Sequence, residues 1–175
     1  MNFPSYLVLA VLWQTASVIA NDNNSCKRLL WTHQRFLFWF WFWVANALTG
    51  LGKSSVIINS QNDVNNLTNC ETIQGSVTIS SSASGTITLS NVEEIKGSFS
   101  VESGSSVDNL VFPKLETLQG GLILDNVDSL SHITFNTLEK ASSISITGNS
   151  NLKNLMFSQL NEVDGDLKLT GSFSR

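Results

Sequence analysis

Apolar and polar side chains alternate with a period of two through most of the chain after Gly50. Val77 and Ile79 are set among Ser76, Thr78 and Ser80, and Ile87 and Leu89 alternate with Thr86 and Thr88. The pattern recurs with Phe99 and Val101, Leu122 and Leu124, Ile144 and Ile146, and Leu167 and Leu169. Successive side chains of a strand point to opposite faces, so this spacing predicts half-buried strands. No stretch after Gly50 carries a long 3.6-residue stripe, and helix is expected only as a minor component. A second short strand is predicted in each unit at Leu110-Val111-Phe112, Ile133-Thr134-Phe135 and Leu155-Met156-Phe157. Gly, Asn, Asp and Ser lie between the strands, and these residues tolerate the positive φ of tight corners.

The strands are organised by an internal repeat. Segments begin Cys70-Glu-Thr-Ile-Gln-Gly75, Val92-Glu-Glu-Ile-Lys-Gly97, Leu115-Glu-Thr-Leu-Gln-Gly120, Leu138-Glu-Lys-Ala-Ser-Ser143 and Leu160-Asn-Glu-Val-Asp-Gly165, with starts 22, 23, 23 and 22 residues apart. A fixed period in this range signals a solenoid, in which each coil buries its apolar face only against its neighbours. The expected fold is an all-β solenoid, a β-helix of short parallel strands with 22–23 residues per coil. At the sixth repeat position stand Gly75, Gly97, Gly120 and Gly165, where the chain turns into the first strand with little room for a Cβ. No GxxxxGK[ST] or GxGxxG pattern accompanies them, which argues against phosphate binding.

A stack of strands needs a cap at its start. Residues 54–70 suit it, with Val56-Ile57-Ile58 as a first strand and residues 62–67 as a polar turn or short helix. The solenoid is thereby expected over 54–175, ending at Gly171-Ser-Phe-Ser-Arg175 barely past the first strand of a coil.

Two earlier segments differ from everything that follows. Residues 1–20, MNFPSYLVLAVLWQTASVIA, carry an apolar core from Tyr6 to Trp13 and end Val18-Ile19-Ala20, with the small residues a signal peptidase requires. They read as a signal peptide cleaved after Ala20; a membrane anchor or a buried strand is the alternative, disfavoured because the core is short for a bilayer. Residues 27–50, KRLLWTHQRFLFWFWFWVANALTG, interrupt the arm that spans 21–53. Their run from Phe36 to Leu48 is about 20 Å long if helical, short of a hydrocarbon core of roughly 30 Å. A hydrophobic wedge is one reading; in a secreted protein it would be an aggregation hazard. The preferred reading is a translated intron. Cys-Lys can be encoded TGTAAG, which holds a GTAAG donor, Ala45-Asn46-Ala47 can encode a branch-point-like GCTAATGC, and Thr49-Gly50 can supply a CAG acceptor. Splicing then keeps the frame and restores Cys26.

Composition sharpens this division. All five Trp lie within the first 43 residues, while residues 51–175 hold 23 Ser, 10 Thr and 13 Asn with 7 Lys plus Arg against 13 Asp plus Glu. An acidic balance excludes a basic nucleic-acid binder, since nothing could neutralise a run of phosphates. Cys26 and Cys70 are the only cysteines, and in an oxidising compartment their one intramolecular pairing is a disulfide, which would pin the arm across the cap. Sequons at Asn23-Asn24-Ser25 and Asn66-Leu67-Thr68 agree with export and mark Asn23 and Asn66 as N-glycosylation candidates.

The core C-x-x-I-x-G-x-V-x-I at Cys70 to Ile79, recurring as I-x-G with strand alternation, together with L-x-x-I-x-F-x-x-L at Leu130 to Leu138, resembles the receptor L-domain type of solenoid. More specifically, the chain is similar to fungal cell-wall organisation proteins, including the sporulation-specific wall proteins. The resemblance covers residues 54–175 and the Cys26 arm. It implies a secreted, glycosylated, non-enzymatic protein of the cell surface and wall that supports wall integrity, with wall glycans or surface glycoproteins as partners. It also implies a GPI anchor on the outer membrane leaflet in full-length relatives; the Ser/Thr-rich stalk and apolar tail that direct such anchoring do not follow Gly171 here.

Catalytic chemistry has few candidates. His132 is the only histidine outside residues 27–50, and a metal site would need more His, Cys or clustered carboxylates, so neither a metal nor a cofactor is expected. Asp125 and Asp128 lie near His132, and carboxylate-based glycan hydrolases and lyases occur on parallel β-helices, making a polysaccharide-active enzyme the main rival. Corner chemistry between strands is the favoured role for both aspartates. Leu130 to Asn136 also fits a leucine-rich-repeat recognition module superficially. Glu71, Glu93, Glu116 and Glu139 recur at repeat position two, predicting an exposed acidic ladder offset by Lys96, Lys114 and Lys140.

Overall fold

The alternation of apolar and polar residues becomes an alternation of burial through the fourth coil, whereas Leu167 and Leu169, expected in the same pattern, are both exposed. The computed structural model describes residues 55–171 and the backbone of Cys26–Lys27; the signal peptide, the Asn23 sequon, the rest of the 27–50 segment and the Cys26 side chain lie outside the described residues. Val77, Ile79, Phe99, Leu122, Leu124, Ile144 and Ile146 are buried, and the residues between them are partly or fully exposed.

The regular secondary structure of the described residues is almost entirely strand. The arm supplies β1 (Cys26–Lys27), and the cap supplies β2 (Val56–Ile58) and the single-turn helix α1 (Gln61–Asn65). Strands β3 (Thr72–Ile73), β4 (Val77–Ile79) and β5 (Ser84–Thr88) make the first coil, and β6 (Glu94–Ile95), β7 (Phe99–Val101) and β8 (Ser106–Phe112) the second. In the third and fourth, β9 (Thr117–Asp125) and β11 (Lys140–Asn149) run through the corner unbroken and are followed by β10 (His132–Phe135) and β12 (Asn154–Phe157). The last coil contains β13 (Glu162–Val163) and β14 (Leu167–Gly171). The first two coils thus have three strand segments each, and in the third and fourth the first two segments are fused. The two-residue strands such as β3 and β6 are not apparent in the sequence, because two residues cannot display a period.

The coils stack in parallel. Ile73 registers with Ile95, which registers with Leu118, Ala141 and then Val163; Val77 registers with Phe99, Leu122, Ile144 and Leu167. A separate four-stranded sheet joins β5, β8, β10 and β12. The exception to parallel order is β1, which pairs antiparallel with β3, placing Cys26 opposite Ile73. The Glu71, Glu93, Glu116 and Glu139 positions form a backbone ladder, in which the N–H of Glu93, Glu116 and Glu139 each donates to the carbonyl of the glutamate one coil earlier at 2.8–2.9 Å.

Aliphatic rows fill the interior, and one aromatic row runs through them. Phe112 stacks on Phe135 at 4.6 Å and Phe135 on Phe157 at 5.2 Å, while Phe99 meets Phe112 edge-on at 5.0 Å. Full burial of such a side chain contributes roughly 1.5–3 kcal/mol, so each coil's stability resides mainly in these rows. Gly97 and Gly120 sit where the chain bends between the first two strands of a coil. A Cβ on Gly97 would lie 2.4 Å from the Ser76 nitrogen, and one on Gly120 2.5 Å from the Gly97 carbonyl carbon and oxygen. Neither has a positive φ; close approach of the preceding coil's backbone is what requires glycine. On Gly165 the same Cβ would meet the Ser142 carbonyl oxygen at 3.0 Å. Positive φ occurs at other corners, at Gly85, Gly104, Gly148 and Asn126.

The fourth coil has no glycine at its bend. Ser143 registers with Gly121, and the register shifts between Ala141 and Ser143. That coil is one residue shorter at the corner, and Ser142 takes the glycine's place there, its carbonyl accepting from the Gly165 N–H at 2.7 Å as the Gly97 carbonyl accepts from Gly120.

Candidate functional site

The outward residues of the long sheet form the most extensive regular surface of the solenoid. Along its middle row, register runs Ile57, Thr78, Ser100, Ile123, Ser145 and Lys168. A second row contains Ser76, Ser98, Gly121 and Ser143, and a third contains Glu102, Asp125 and Thr147. Strand alternation dictates this placement, because the intervening residues are committed to the core. Adjacent coils present equivalent residues about 4.7–4.9 Å apart, the spacing between neighbouring strands.

Hydroxyls on this face are oriented by the neighbouring coil. Thr78 Oγ1 and Ser100 Oγ are 3.2 Å apart, the Ser98 N–H donates to Ser76 Oγ at 3.1 Å, and the Gly121 N–H donates to Ser98 Oγ at 3.2 Å. A hydroxyl has one donor and two acceptor positions, so each retains capacity for an external partner. Two aliphatic side chains break the polar surface: Ile57 is 59% exposed and Ile123 42% exposed. The middle and second rows are uncharged from the cap through the fourth coil.

The aspartates flagged by sequence both bond to the following coil. Asp125 Oδ1 accepts hydrogen bonds from Ser145 Oγ at 3.0 Å and Thr147 Oγ1 at 2.6 Å. Asp128 Oδ1 accepts from Ser150 Oγ at 2.7 Å, and its carbonyl accepts from Asn151 Nδ2 at 2.7 Å. His132 is exposed on β10 with Nδ1 2.7 Å from Ser131 Oγ. The carboxylates therefore tie coil to coil through their neighbours' hydroxyls. Among the described residues, no group of three or more His, Cys, Asp or Glu could hold a metal ion.

Of the four recurrent glutamates, Glu93, Glu116 and Glu139 are exposed and Glu71 is half-buried. The lysines differ in their partners: Lys114 Nζ donates to Asn91 Oδ1 at 3.3 Å, and Lys140 forms an ion pair with Glu162. Their mutual hydrogen bond, reinforced by charge attraction, raises the Lys140 ammonium above its ordinary pKa and lowers the Glu162 carboxyl below its own. Asn66 is exposed just after α1, and its sequon partner Thr68 donates from Oγ1 to the Asn65 carbonyl. Cys70 is buried at 2% exposure and begins the interior row continued by Val92, Leu115 and Leu138. The other half of the expected disulfide, the Cys26 side chain, lies outside the described residues.

One polar residue of the core was not singled out by sequence. Asn149 is fully buried; its Nδ2 donates to the Leu124 carbonyl at 2.7 Å and its Oδ1 accepts from the Val127 N–H at 2.8 Å. The available signal was its spacing of 22 residues from Val127, which puts an asparagine in an interior row. Among the described residues, no helix is long and apolar enough to cross a membrane.

The sequence pattern described as Receptor L domain matches residues 69–172. No curated protein and no solved structure matches the chain.

Proposed function

The chain belongs to the receptor L domain family, and on that premise we propose that it is a secreted, non-enzymatic recognition module of the cell surface that contributes to fungal-type cell-wall organisation by binding wall glycans. The observation that carries this reading is the pair of outward rows of the long sheet, Ser76 to Ser143 and Ile57 to Ser145, which carry no charge from the cap through the fourth coil. Their hydroxyls, punctuated by Ile57 and Ile123, offer hydrogen bonds and apolar contacts to a partner with the same mixture of hydroxyls and C–H surfaces. A neutral polysaccharide has that chemistry, and its repeat can engage successive coils without desolvating a charge. The engagement of Asp125 and Asp128 by serine and threonine side chains of the next coil supports a positional role for both.

Export, glycosylation at Asn23 and Asn66, and a Cys26–Cys70 bond complete the proposal. The pairing of the Cys26 backbone with Ile73, three residues past the buried Cys70, supports that bond. A bond there would contribute about 2–4 kcal/mol by restricting the unfolded chain.

Co-sedimentation of the purified protein with insoluble β-glucan and chitin tests the reading. The protein should pellet with at least one of them, and Ser100→Lys or Ile123→Lys should weaken retention by roughly tenfold, as expected when about 1.4 kcal/mol of contact is removed. Turnover of glucan, chitin or pectin that disappears on Asp125→Asn or Asp128→Asn would instead establish the enzymatic alternative.

A further inference from the structure

The short sheet ends at β5, whose outer edge has no neighbouring strand among the described residues. In a parallel ladder, the N–H and C=O of one residue point to the same side and those of the next residue to the other. The Leu89 N–H donates to the Val111 carbonyl, so Leu89 faces β8 and Thr88 faces the outer edge; alternation puts Thr86 on that edge as well. Such an edge is a template on which another chain can add a strand.

Gln61, the first residue of α1, occupies that template. The Thr88 N–H donates to Gln61 Oε1 at 2.8 Å, and Gln61 Nε2 donates to the Thr88 carbonyl at 3.3 Å. A carboxamide offers one carbonyl and one N–H in the arrangement of a peptide group, so the side chain satisfies Thr88 as one residue of an added strand would. The helix is held in place by Val64, which is 5% exposed within the core, and by the following turn, where Asn91 Nδ2 donates to the Thr68 carbonyl at 2.6 Å.

We propose that Gln61 is an edge guard, whose carboxamide blocks addition of a strand from a second copy of this chain at β5. The role is independent of which ligand the long sheet takes. It assigns α1 a purpose beyond covering the first coil: a single helical turn presents one side chain to both hydrogen-bonding groups of Thr88. A helix continuing over the edge would need many more residues.

The test compares the full chain with its Gln61→Leu and Gln61→Glu variants by sedimentation velocity over a concentration series, with hydrogen exchange read across residues 84–90. Gln61→Leu removes both bonds, and its weight-average mass should rise about twofold or more with concentration as free edges pair. Exchange in the Thr86 to Thr88 region should slow as association proceeds. Gln61→Glu keeps the acceptor for the Thr88 N–H but opposes a carboxylate to the Thr88 carbonyl, so it should associate less than Gln61→Leu. Adding Thr86→Pro to Gln61→Leu removes an edge N–H and should return the mass to that of the parent. Leu152→Ala, a core change in the fourth coil, controls for destabilisation alone and should leave the mass unchanged. A folded Gln61→Leu protein with the parent's mass at every concentration overturns the proposal. If that variant does not fold, Gln61→Ala, which also removes both bonds, takes its place and the parent's mass at every concentration overturns the proposal there, and equal association by Leu152→Ala does so as well.

Discussion

Two glycines with opposite surroundings separate the two reasons for using this residue. Gly97 has no positive φ, yet an added Cβ would collide with the Ser76 nitrogen at 2.4 Å and the Gly75 carbonyl carbon at 2.6 Å. Gly85 has φ of 72° and nothing within 4 Å of an added Cβ. Gly97→Ala must move backbone against backbone and should cost about 1–3 kcal/mol or more. Gly85→Ala should cost only about 1–2 kcal/mol, the strain of the left-handed region. Asparagine distinguishes the cases further: it should recover part of the loss at Gly85, where it tolerates that φ, and worsen it at Gly97, where it is larger. Urea-denaturation midpoints of the four variants check the ranking. The sixth-position rule was legible because glycine recurs at that step; its cause was not, because a periodic string does not show which backbone lies 2.4 Å away. Asn149 makes the same point from the polar side, since an asparagine in an interior row reads as an irregularity until the Leu124 carbonyl and Val127 N–H are seen around it.

At the scale of elements, stability is carried by rows that run across coils, so a residue's contribution depends on how many neighbours its row supplies. Phe135 is fully buried between Phe112 and Phe157, whereas Phe157 is half-buried and has a ring neighbour on one side. Phe135→Ala should destabilise by about 3–5 kcal/mol and Phe157→Ala by about half as much, measured by equilibrium unfolding. Strands with three or more alternating residues were legible, as was the cap with Val56–Ile58 and a short helical turn. The two-residue strands were not, and neither was the shorter corner of the fourth coil, where Ser143 pairs with Gly121. Both are defined by hydrogen bonds to another coil, and aligning the repeats by composition does not register a missing corner residue.

Over the whole molecule, two outward rows of the long sheet stay neutral from the cap through the fourth coil, and charge enters beside them at Glu94, Glu102 and Asp125 and at the edge formed by the last coil. The Lys140–Glu162 pair joins the fourth and fifth coils at such an edge, and both side chains are well exposed, 59% and 48%. The lowered Glu162 pKa means that its contribution is present above the ordinary carboxylate pKa and lost as pH falls through the lowered value. The raised Lys140 pKa adds the converse limit, with its contribution lost as pH rises through the raised value. Lys140→Met should therefore lower Tm slightly at neutral pH, by an amount that shrinks with added salt, and should not differ from the parent in acid where Glu162 is protonated. Calorimetry at neutral and acid pH, each at two ionic strengths, measures both dependences.

The sequence by itself determined the architecture: period-two alternation fixed which side chains enter the core, and the 22–23-residue repeat fixed a stack of parallel coils. Those are local and periodic properties, and a repeat protein satisfies them coil by coil. Tertiary structure alone decided what each coil does to the next. It placed Gly97 and Gly120 against a preceding backbone, engaged Asp125 with Ser145 and Thr147, buried Asn149 between two peptide groups and set Gln61 on the edge of β5. Each of these depends on distances between residues about 20 or more positions apart, which only the registered stack brings within hydrogen-bonding or van der Waals range.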